Sequence, residues 1–139
     1  AAVDFSEGAA AVFQAEPGIE LLMEDARKQT SLPASSFDLV VELGTLDTAA
    51  SAKDNGEGAE GLVREARRLL RGGGKFVSAS IDSPVFRLPF LAQHPAGGWS
   101  GQAEVLRLPR PEDFELDRRV KELDPSWEVD KLFLYVSTA

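Results

Sequence analysis

Three acidic residues stand where short apolar runs of the sequence end, and they are the first candidates for chemistry. They are Asp4, Asp25 and Glu42. A carboxylate just past the end of a strand can accept hydrogen bonds from the hydroxyl and amino groups of a ligand while it stays close to water. Any single one of them is more readily explained as a cap of the following helix. Three such acids along one edge of a sheet favour a ligand site.

The remaining residue types limit the chemistry further. The 139 residues contain no cysteine, which excludes disulfides, thiolate metal sites and a cysteine nucleophile. The single histidine, His94, lies in a Pro/Gly-rich segment, where it is either a base near a substrate or an exposed loop residue. A zinc site would need mostly carboxylates, so the sequence predicts no metal site. No Ser-His-Asp set for nucleophilic catalysis is visible either.

Charge and hydropathy narrow the choice of partner. The formal net charge of −8 would repel a phosphate backbone, and the basic runs 64–71 and 107–110 are interleaved with apolar or acidic residues. We therefore expect no nucleic acid, and a basic or neutral partner fits this charge better, although the charge does not identify that partner. No apolar stretch approaches the roughly 20 residues of a membrane helix, and the first residues lack the pattern of a secretion signal. We accordingly expect no membrane association and a cytoplasmic location.

Alternating strand and helix patterns would position the acids. Strands are predicted at residues 1–5, 19–23, 37–41, 75–81, 103–108 and 131–136. A helix should open at Ser6, and the clearest helix carries one apolar stripe formed by Leu62, Ala66, Leu69 and Leu70. We expect that helix to end at residues 72–74, three glycines, with a left-handed C-cap.

The segments between these elements carry turn signals. Residues 48–59 are small and polar and are interpreted as a mobile loop or a frayed helix, and residues 82–101 as irregular because of their prolines and glycines. The aromatic residues near the C-terminus are assigned to core packing in preference to pocket lining; they are Trp99, Trp127, Phe133 and Tyr135.

The alternation of strands and helices predicts the α/β class: a Rossmann-like, mostly parallel sheet with helices on both faces. The last strand is apolar on both faces and should lie inside the sheet. The chain length suits a single domain, residues 1–139. Ligands of such sheets bind at the carboxyl ends of the strands, which is where the three acids fall.

Three stretches of the sequence resemble the class I S-adenosylmethionine-dependent methyltransferases. Residues 37–47, FDLVVELGTLD, are similar to the patterns FD(V/L)V and (E/D)KGTLD of a methyltransferase-like group whose best-known members modify lysines of a translation elongation factor. Residues 3–6, VDFS, resemble the end of the second strand of that class, and residues 65–77 resemble its helix-to-strand join. The likeness extends over residues 1–81.

The resemblance implies a cofactor site for S-adenosylmethionine. Asp4 would accept hydrogen bonds from the ribose hydroxyls, and Phe5 beside it belongs to the same site. Asp25 would face the adenine amino group, with the backbone of Ala26 beside the ring. Glu42 would lie near the methionine moiety.

The resemblance also implies the chemistry, an in-line methyl transfer from a sulfonium. Glu42 and Asp47 are the catalytic candidates, at the entrance for the substrate. A sulfonium already carries an excellent leaving group, so such an enzyme mainly aligns donor and acceptor and excludes water. By analogy with the nearest group, the acceptor is a protein side chain, with lysine favoured.

Three departures from the pattern accompany the likeness. Leu43 stands where the group has a lysine, and Gly72 where the class has a proline. The first strand of the class and its glycine-rich loop should precede Asp4. The expected sheet therefore lacks its first strand, with an antiparallel strand at its C-terminal end, and the chain is an N-terminally truncated fragment.

Two alternatives to an active methyltransferase remain open on the sequence. One is a non-catalytic remnant or binding module that keeps the fold and no longer binds the cofactor. The other is an α/β domain that binds a different nucleotide. The sequence does not indicate an oligomeric state.

Overall fold

The computed structural model describes residues 1–8, 17–92, 98–109 and 131–139. Its elements, in chain order, are β1 Ala2–Asp4, β2 Leu21–Met23, β3 Phe37–Leu43, α1 Thr45–Ala50, α2 Glu57–Leu69, β4 Leu70–Ser80, α3 Pro84–Ala92, β5 Glu104–Pro109 and β6 Lys131–Thr138. His94, Trp127 and the body of the helix predicted after Ser6 lie outside the described residues. Within them, no helix is long and apolar enough to cross a membrane.

The strands form two sheets. β1 pairs in parallel with β2, and the other four strands lie in the order β3-β4-β6-β5. β3 is parallel to β4, whereas β6 is antiparallel to both of its neighbours. This arrangement confirms the predicted α/β class with an antiparallel C-terminal strand. β6 lies between two strands, and its inward residues Phe133 and Tyr135 are completely buried, as its apolar faces predicted.

The helices bury one apolar side against the four-stranded sheet. In α2 the predicted stripe is present, and Leu62, Val63 and Ala66 are buried together with Phe76 of β4. α1 adds Leu46 to the same core. This packing holds α1 directly after the carboxyl end of β3.

Between β1 and β3 there is a cavity of about 500 Å³, here called the β1–β3 cavity. Both strands line it, and Leu62, Ala66 and Leu69 of α2 also border it. In the described part of the chain, β1 pairs only with β2 and β3 only with β4. Leu39, Val41 and Leu43 of β3 are therefore 52%, 52% and 78% exposed, although a strand of a parallel sheet is normally buried on both faces.

The predicted end of the main helix is wrong. α2 ends at Leu69, and Leu70 is already extended, with φ −76° and ψ 135°. The chain enters β4 without a glycine cap because Leu70 pairs at once with Phe37 of β3. The glycines form an irregularity inside β4, where Gly73 has a φ of +80° and donates its N–H to the Ala139 carbonyl at 2.8 Å.

Two segments are more ordered than their composition predicted. Residues 48–59 contain the end of α1, the start of α2 and the turn between them, in which both Asn55 and Gly56 have positive φ. Residues 82–101 include helix α3, which the prolines did not prevent. Pro84 is the first residue of that helix, where a backbone N–H is not needed. Pro89 lies inside it, and Arg87 and Leu91 are the buried residues that anchor this helix.

Candidate functional site

The carboxyl ends of β1, β2 and β3 surround a cavity of about 360 Å³, here called the rim cavity. Residues at the ends of these strands, or within three positions after them, line it. They include Asp4, Phe5, Asp25, Ala26, Gly44 and Thr45. All four residues predicted to hold the nucleoside part of the cofactor therefore lie around one cavity. The β1–β3 cavity adjoins it, since both are bordered by Val3, Asp4, Ala26, Leu43 and Thr45.

Asp4 reaches the rim cavity because β1 ends there. The register pairs Asp4 with Met23, so the next residues of both strands emerge side by side. One carboxylate oxygen of Asp4, Oδ1, accepts the backbone N–H of Ser6 at 2.7 Å. Asp4 therefore caps the turn that leads out of β1. This bond leaves a half-buried carboxylate that lines the cavity.

Asp25 is held by Arg27. Oδ1 accepts the Arg27 backbone N–H at 3.0 Å and its Nε at 2.8 Å, and Oδ2 accepts Nη2 at 2.9 Å. The hydrogen bond from the Arg27 side chain is the main reason why the pKa of Asp25 lies below its ordinary value. A carboxylate offers about four acceptor positions, so three bonds from Arg27 leave room for one further donor.

Arg27 was not among the predicted site residues. Its guanidinium carbon lies 5.4 Å from the centre of the Phe5 ring, which is 64% exposed. Cation and ring together make a flat, partly apolar wall of the rim cavity. The position of Arg27, two residues after Asp25, was the available signal, because an acid and an arginine so close in a turn can form a bidentate pair.

Glu42 lies behind the rim cavity and lines the β1–β3 cavity instead. β3 runs to Leu43, two residues beyond its predicted end, so Glu42 is a strand residue and only 8% exposed. Its carboxylate accepts hydrogen bonds from the Leu46 N–H at 3.0 Å and from the Ser78 hydroxyl. Burial raises the pKa of Glu42, although these bonds oppose the change. Glu42 therefore shares the β1–β3 cavity with Asp4, but it does not line the rim cavity, where Asp4 and Asp25 meet.

Asp47, the second catalytic candidate, lines neither of these two cavities. Its Oδ1 accepts the Ser80 hydroxyl at 2.6 Å and lies 2.9 Å from Nη2 of Arg87. Oδ2 accepts the Ile81 N–H at 3.3 Å. Asp47 thus fixes α1 to the end of β4, and its carboxylate is engaged by protein groups.

The described members of the predicted aromatic set, Trp99, Phe133 and Tyr135, follow their assignment to the core. Trp99 stacks on Phe76, with ring centroids 5.9 Å apart. Phe133 and Tyr135 stack at 6.2 Å, and the Tyr135 hydroxyl donates to the Asp82 carbonyl at 2.7 Å. These rings support the sheet beneath the site and do not line the rim cavity.

Parallel strands with an acid-lined cavity at their carboxyl ends define a nucleotide-binding type of α/β domain. Comparison with known families makes the class specific: residues 1–78 match the family described as "Methyltransferase domain". The chain belongs to this family, which confirms the class predicted from its sequence. S-adenosylmethionine is confirmed with it as the cofactor of the class.

Individual proteins similar to this chain are also methyltransferases. The chain is 32% identical over 103 residues to EEF1A lysine methyltransferase 4 of Mus musculus, covering 66% of this chain and 40% of that protein. It superposes on an S-adenosylmethionine-dependent methyltransferase of Thermotoga maritima, described as a possible histamine N-methyltransferase, with a TM-score of 0.62 and 17% identity, over 98% of this chain and 71% of that one. For the N-methyltransferase NodS of Bradyrhizobium japonicum, solved with S-adenosylhomocysteine, the TM-score is 0.63 and the identity 12%, over 98% and 64%. At these identities, the two solved structures support the fold.

The rim cavity fits the nucleoside part of this cofactor. Its volume is within the ~300–1,000 Å³ that is usual for small-molecule sites. Two carboxylates face the same space from neighbouring strands, and the ribose hydroxyls and the adenine amino group are donors that such acceptors bind. The ring of Phe5 and the side chain of Ala26 can supply apolar surface beside them.

Proposed function

We propose that the chain forms the cofactor-binding domain of an S-adenosylmethionine-dependent methyltransferase that acts on a protein side chain. One observation carries the proposal: Asp4 and Asp25, at the ends of two adjacent parallel strands, line the same 360 Å³ cavity. The chain spans 40% of the length of the mouse lysine methyltransferase that it matches. The activity proposed here is therefore that of the complete protein.

Different residues of the rim cavity bind different parts of the cofactor. Asp4 accepts hydrogen bonds from the ribose hydroxyls, and Asp25, oriented by Arg27, accepts one from the adenine amino group. When bound, the cofactor supplies a methyl group on a positively charged sulfur, ready for in-line transfer to a nucleophile. The work of the protein is then to align the two reactants and to exclude water.

Cofactor binding can be tested by calorimetry with S-adenosylhomocysteine on the complete protein. The variants Asp4→Asn and Asp25→Asn each remove a charged acceptor, a loss of about 1.5–3 kcal/mol, which corresponds to roughly ten- to a hundredfold weaker binding. Glu60→Gln on the exposed side of α2 is the matched control and should leave the affinity unchanged. Equal affinity of all three variants and the wild type would contradict the assigned roles.

For the acceptor we propose the lysine side chain. The support is the identity of 32% with a protein named as a lysine methyltransferase, together with a net charge of −8, which favours a cationic partner over a polyanion. The complete protein should transfer a labelled methyl group from S-adenosylmethionine to a ribonuclease-treated protein extract, and the label should be recovered as methyllysine after hydrolysis. Transfer to RNA under the same conditions, with none to protein, would contradict this assignment.

We also propose that the chain is a truncated domain and that the β1–β3 cavity takes one further parallel strand in the complete protein. The support is the exposure of Leu39, Val41 and Leu43 and the unpaired strand edges that border the cavity, within the described residues. Residues 1–139 alone should then bind S-adenosylhomocysteine at least tenfold more weakly than the complete protein.

The substitution Val41→Asp tests the strand directly. In residues 1–139 alone, where Val41 is 52% exposed, we expect a change in unfolding free energy of about 0.5 kcal/mol or less. In the complete protein the same aspartate would be buried, and we expect a loss of about 2 kcal/mol or more. A small effect in both proteins would refute the additional strand. Failure of even the complete protein to bind the cofactor would favour the alternative, a non-catalytic remnant of the fold.

A further inference from the structure

α3 carries a completely buried charge that the binding site described above does not use. The Arg87 side chain is 1% exposed, and by volume it is the largest fully buried side chain of the described residues. A buried guanidinium requires charged or polar partners because it has lost its hydration. Arg87 has two carboxylate partners, Asp47 of α1 at 2.9 Å and Asp82. Its Nε also lies 3.3 Å from the Ser80 hydroxyl oxygen.

The partners of Arg87 are also hydrogen-bonded to one another. The Ser80 hydroxyl donates to Asp47 at 2.6 Å and accepts the Asp82 N–H at 2.9 Å. The carbonyl of Asp82 accepts the Tyr135 hydroxyl. The cluster formed by Asp47, Ser80, Asp82, Arg87 and Tyr135, here called the Arg87 clamp, thus joins α1, the end of β4, α3 and β6.

The clamp lies next to the proposed cofactor site. Asp47 belongs to α1, and Thr45, Thr48 and Ala49 of the same helix line the rim cavity. α1 is only six residues long, and such a short helix is not stable by itself. Its position, and so the position of that wall of the cavity, depends on its contacts with the rest of the protein. The polar part of those contacts consists of the bonds to Asp47 and the hydrogen bond from the Leu46 N–H to Glu42.

We infer that Arg87 is a positioning residue that holds α1, through Asp47, in the place where α1 forms a wall of the cofactor cavity. The inference rests on the proposed cofactor binding. A well-packed apolar residue could fill the space of Arg87 at no loss of stability, as buried ion pairs often show. What an apolar residue does not supply is a directional, charged link from one guanidinium nitrogen, Nη2, to the carboxylates of Asp47 in α1 and of Asp82 in the turn before α3.

The test uses the complete protein and measures S-adenosylhomocysteine affinity by calorimetry, together with thermal unfolding. We expect Arg87→Met to weaken binding at least tenfold at a temperature where the variant remains folded, and Arg87→Lys, which keeps the charge, to recover part of that loss. The double variant Arg87→Met, Asp47→Leu should lose less binding than the sum of the two single variants, because both changes remove the ion pair between Arg87 and Asp47.

The control separates positioning from simple loss of stability. Leu91→Ala lowers the stability of the same helix from a buried apolar position, with a side chain 2% exposed, and leaves the clamp intact. We expect it to bind S-adenosylhomocysteine as the wild type does. If Leu91→Ala weakens binding as much as Arg87→Met does at equal folded fraction, Arg87 has only a structural role and the inference is overturned.

Two further outcomes are distinguishable. Unchanged affinity of Arg87→Met, with normal binding by the wild type, overturns the positioning role and leaves the proposed function standing. Absence of binding by the wild type itself overturns both. If Arg87→Met does not fold, hydrogen exchange of the α1 amides in Arg87→Lys replaces it. Faster exchange confined to residues 45–50 supports the link, and unchanged exchange there contradicts it.

Discussion

Gly61 allows α2 to approach the loop that carries Asp25, Ala26 and Arg27 of the rim cavity. A Cβ atom at this position would lie 2.1 Å from the carbonyl oxygen of Arg27 and 3.1 Å from its carbonyl carbon, whereas ordinary contact begins at 3.4 Å. The substitution Gly61→Ala therefore forces helix and loop apart by about 1.3 Å. The atom in the way belongs to the backbone and cannot rotate aside as a side chain would.

Two opposing effects determine how Gly61→Ala changes the free energy of unfolding. Alanine in place of glycine inside a helix stabilises it by about 0.8–1 kcal/mol. Overpacking a buried contact costs about 1–3 kcal/mol, and a rigid backbone partner places this case at about the upper limit. The net expectation for Gly61→Ala is a loss of about 2 kcal/mol, or roughly 5–10 °C in melting temperature for a domain of this size. Because Arg27 follows Ala26, S-adenosylhomocysteine binding should also weaken.

Urea and thermal unfolding of wild type, Gly61→Ala and Gly58→Ala measure this effect. Gly58 is the matched control, since it is buried in the same helix but a Cβ there would meet only side-chain atoms of Asp54 and Arg27, at 2.8 and 3.2 Å, together with Ala49 at an ordinary distance. These side chains can move, so we expect Gly58→Ala to remain within about 1 kcal/mol of the wild type. The reasoning is refuted if Gly61→Ala is as stable as the wild type, or if the two variants lose the same amount.

Further outcomes follow from individual polar contacts, each measured by urea unfolding. Burial opposes the ionisation of Glu65, but hydrogen bonds from Arg68 and Thr30 lower the pKa of Glu65 below its ordinary value. The ionised Glu65 therefore stabilises the folded protein above the ordinary pKa, and this stabilisation is lost as pH falls through the pKa of the folded state. Glu65→Gln should cost about 1.5–3 kcal/mol at pH 7 and progressively less in acid, and a constant difference would contradict this. Burial raises the pKa of Glu42, so its contribution is present below the ordinary pKa and is lost as pH rises through the folded one. Glu42→Gln should therefore gain stability relative to the wild type between pH 4 and pH 8, and a relative loss would show that the charged form is favoured. Tyr135→Phe removes the donor to the Asp82 carbonyl and should lower stability by about 1–2 kcal/mol, whereas an unchanged urea midpoint would show that the bond contributes little.

Elements with a strong hydrophobic period were predictable from the sequence. The stripe on α2 and the doubly apolar β6 both depend on burial of side chains that are adjacent along a helix or strand, and both are present. α3 was missed because Pro84 and Pro89 argue locally against a helix. The contacts that stabilise α3, above all those of Arg87, join residues up to 40 positions apart and leave no local pattern. Gly73 has the left-handed conformation expected of a glycine in this run, but within β4 and not at a helix end.

For the site, the sequence by itself determined which residues reach the carboxyl edge of the sheet. Asp4 ends β1 and Asp25 lies two residues after β2. The ends of neighbouring parallel strands lie side by side, so the meeting of the two acids at one cavity follows from chain order. Only the tertiary structure decided where Glu42 and Asp47 point. Glu42 is turned inward because β3 continues past it, and Asp47 is turned away from the rim cavity because the buried guanidinium of Arg87, forty residues later in the chain, needs a carboxylate.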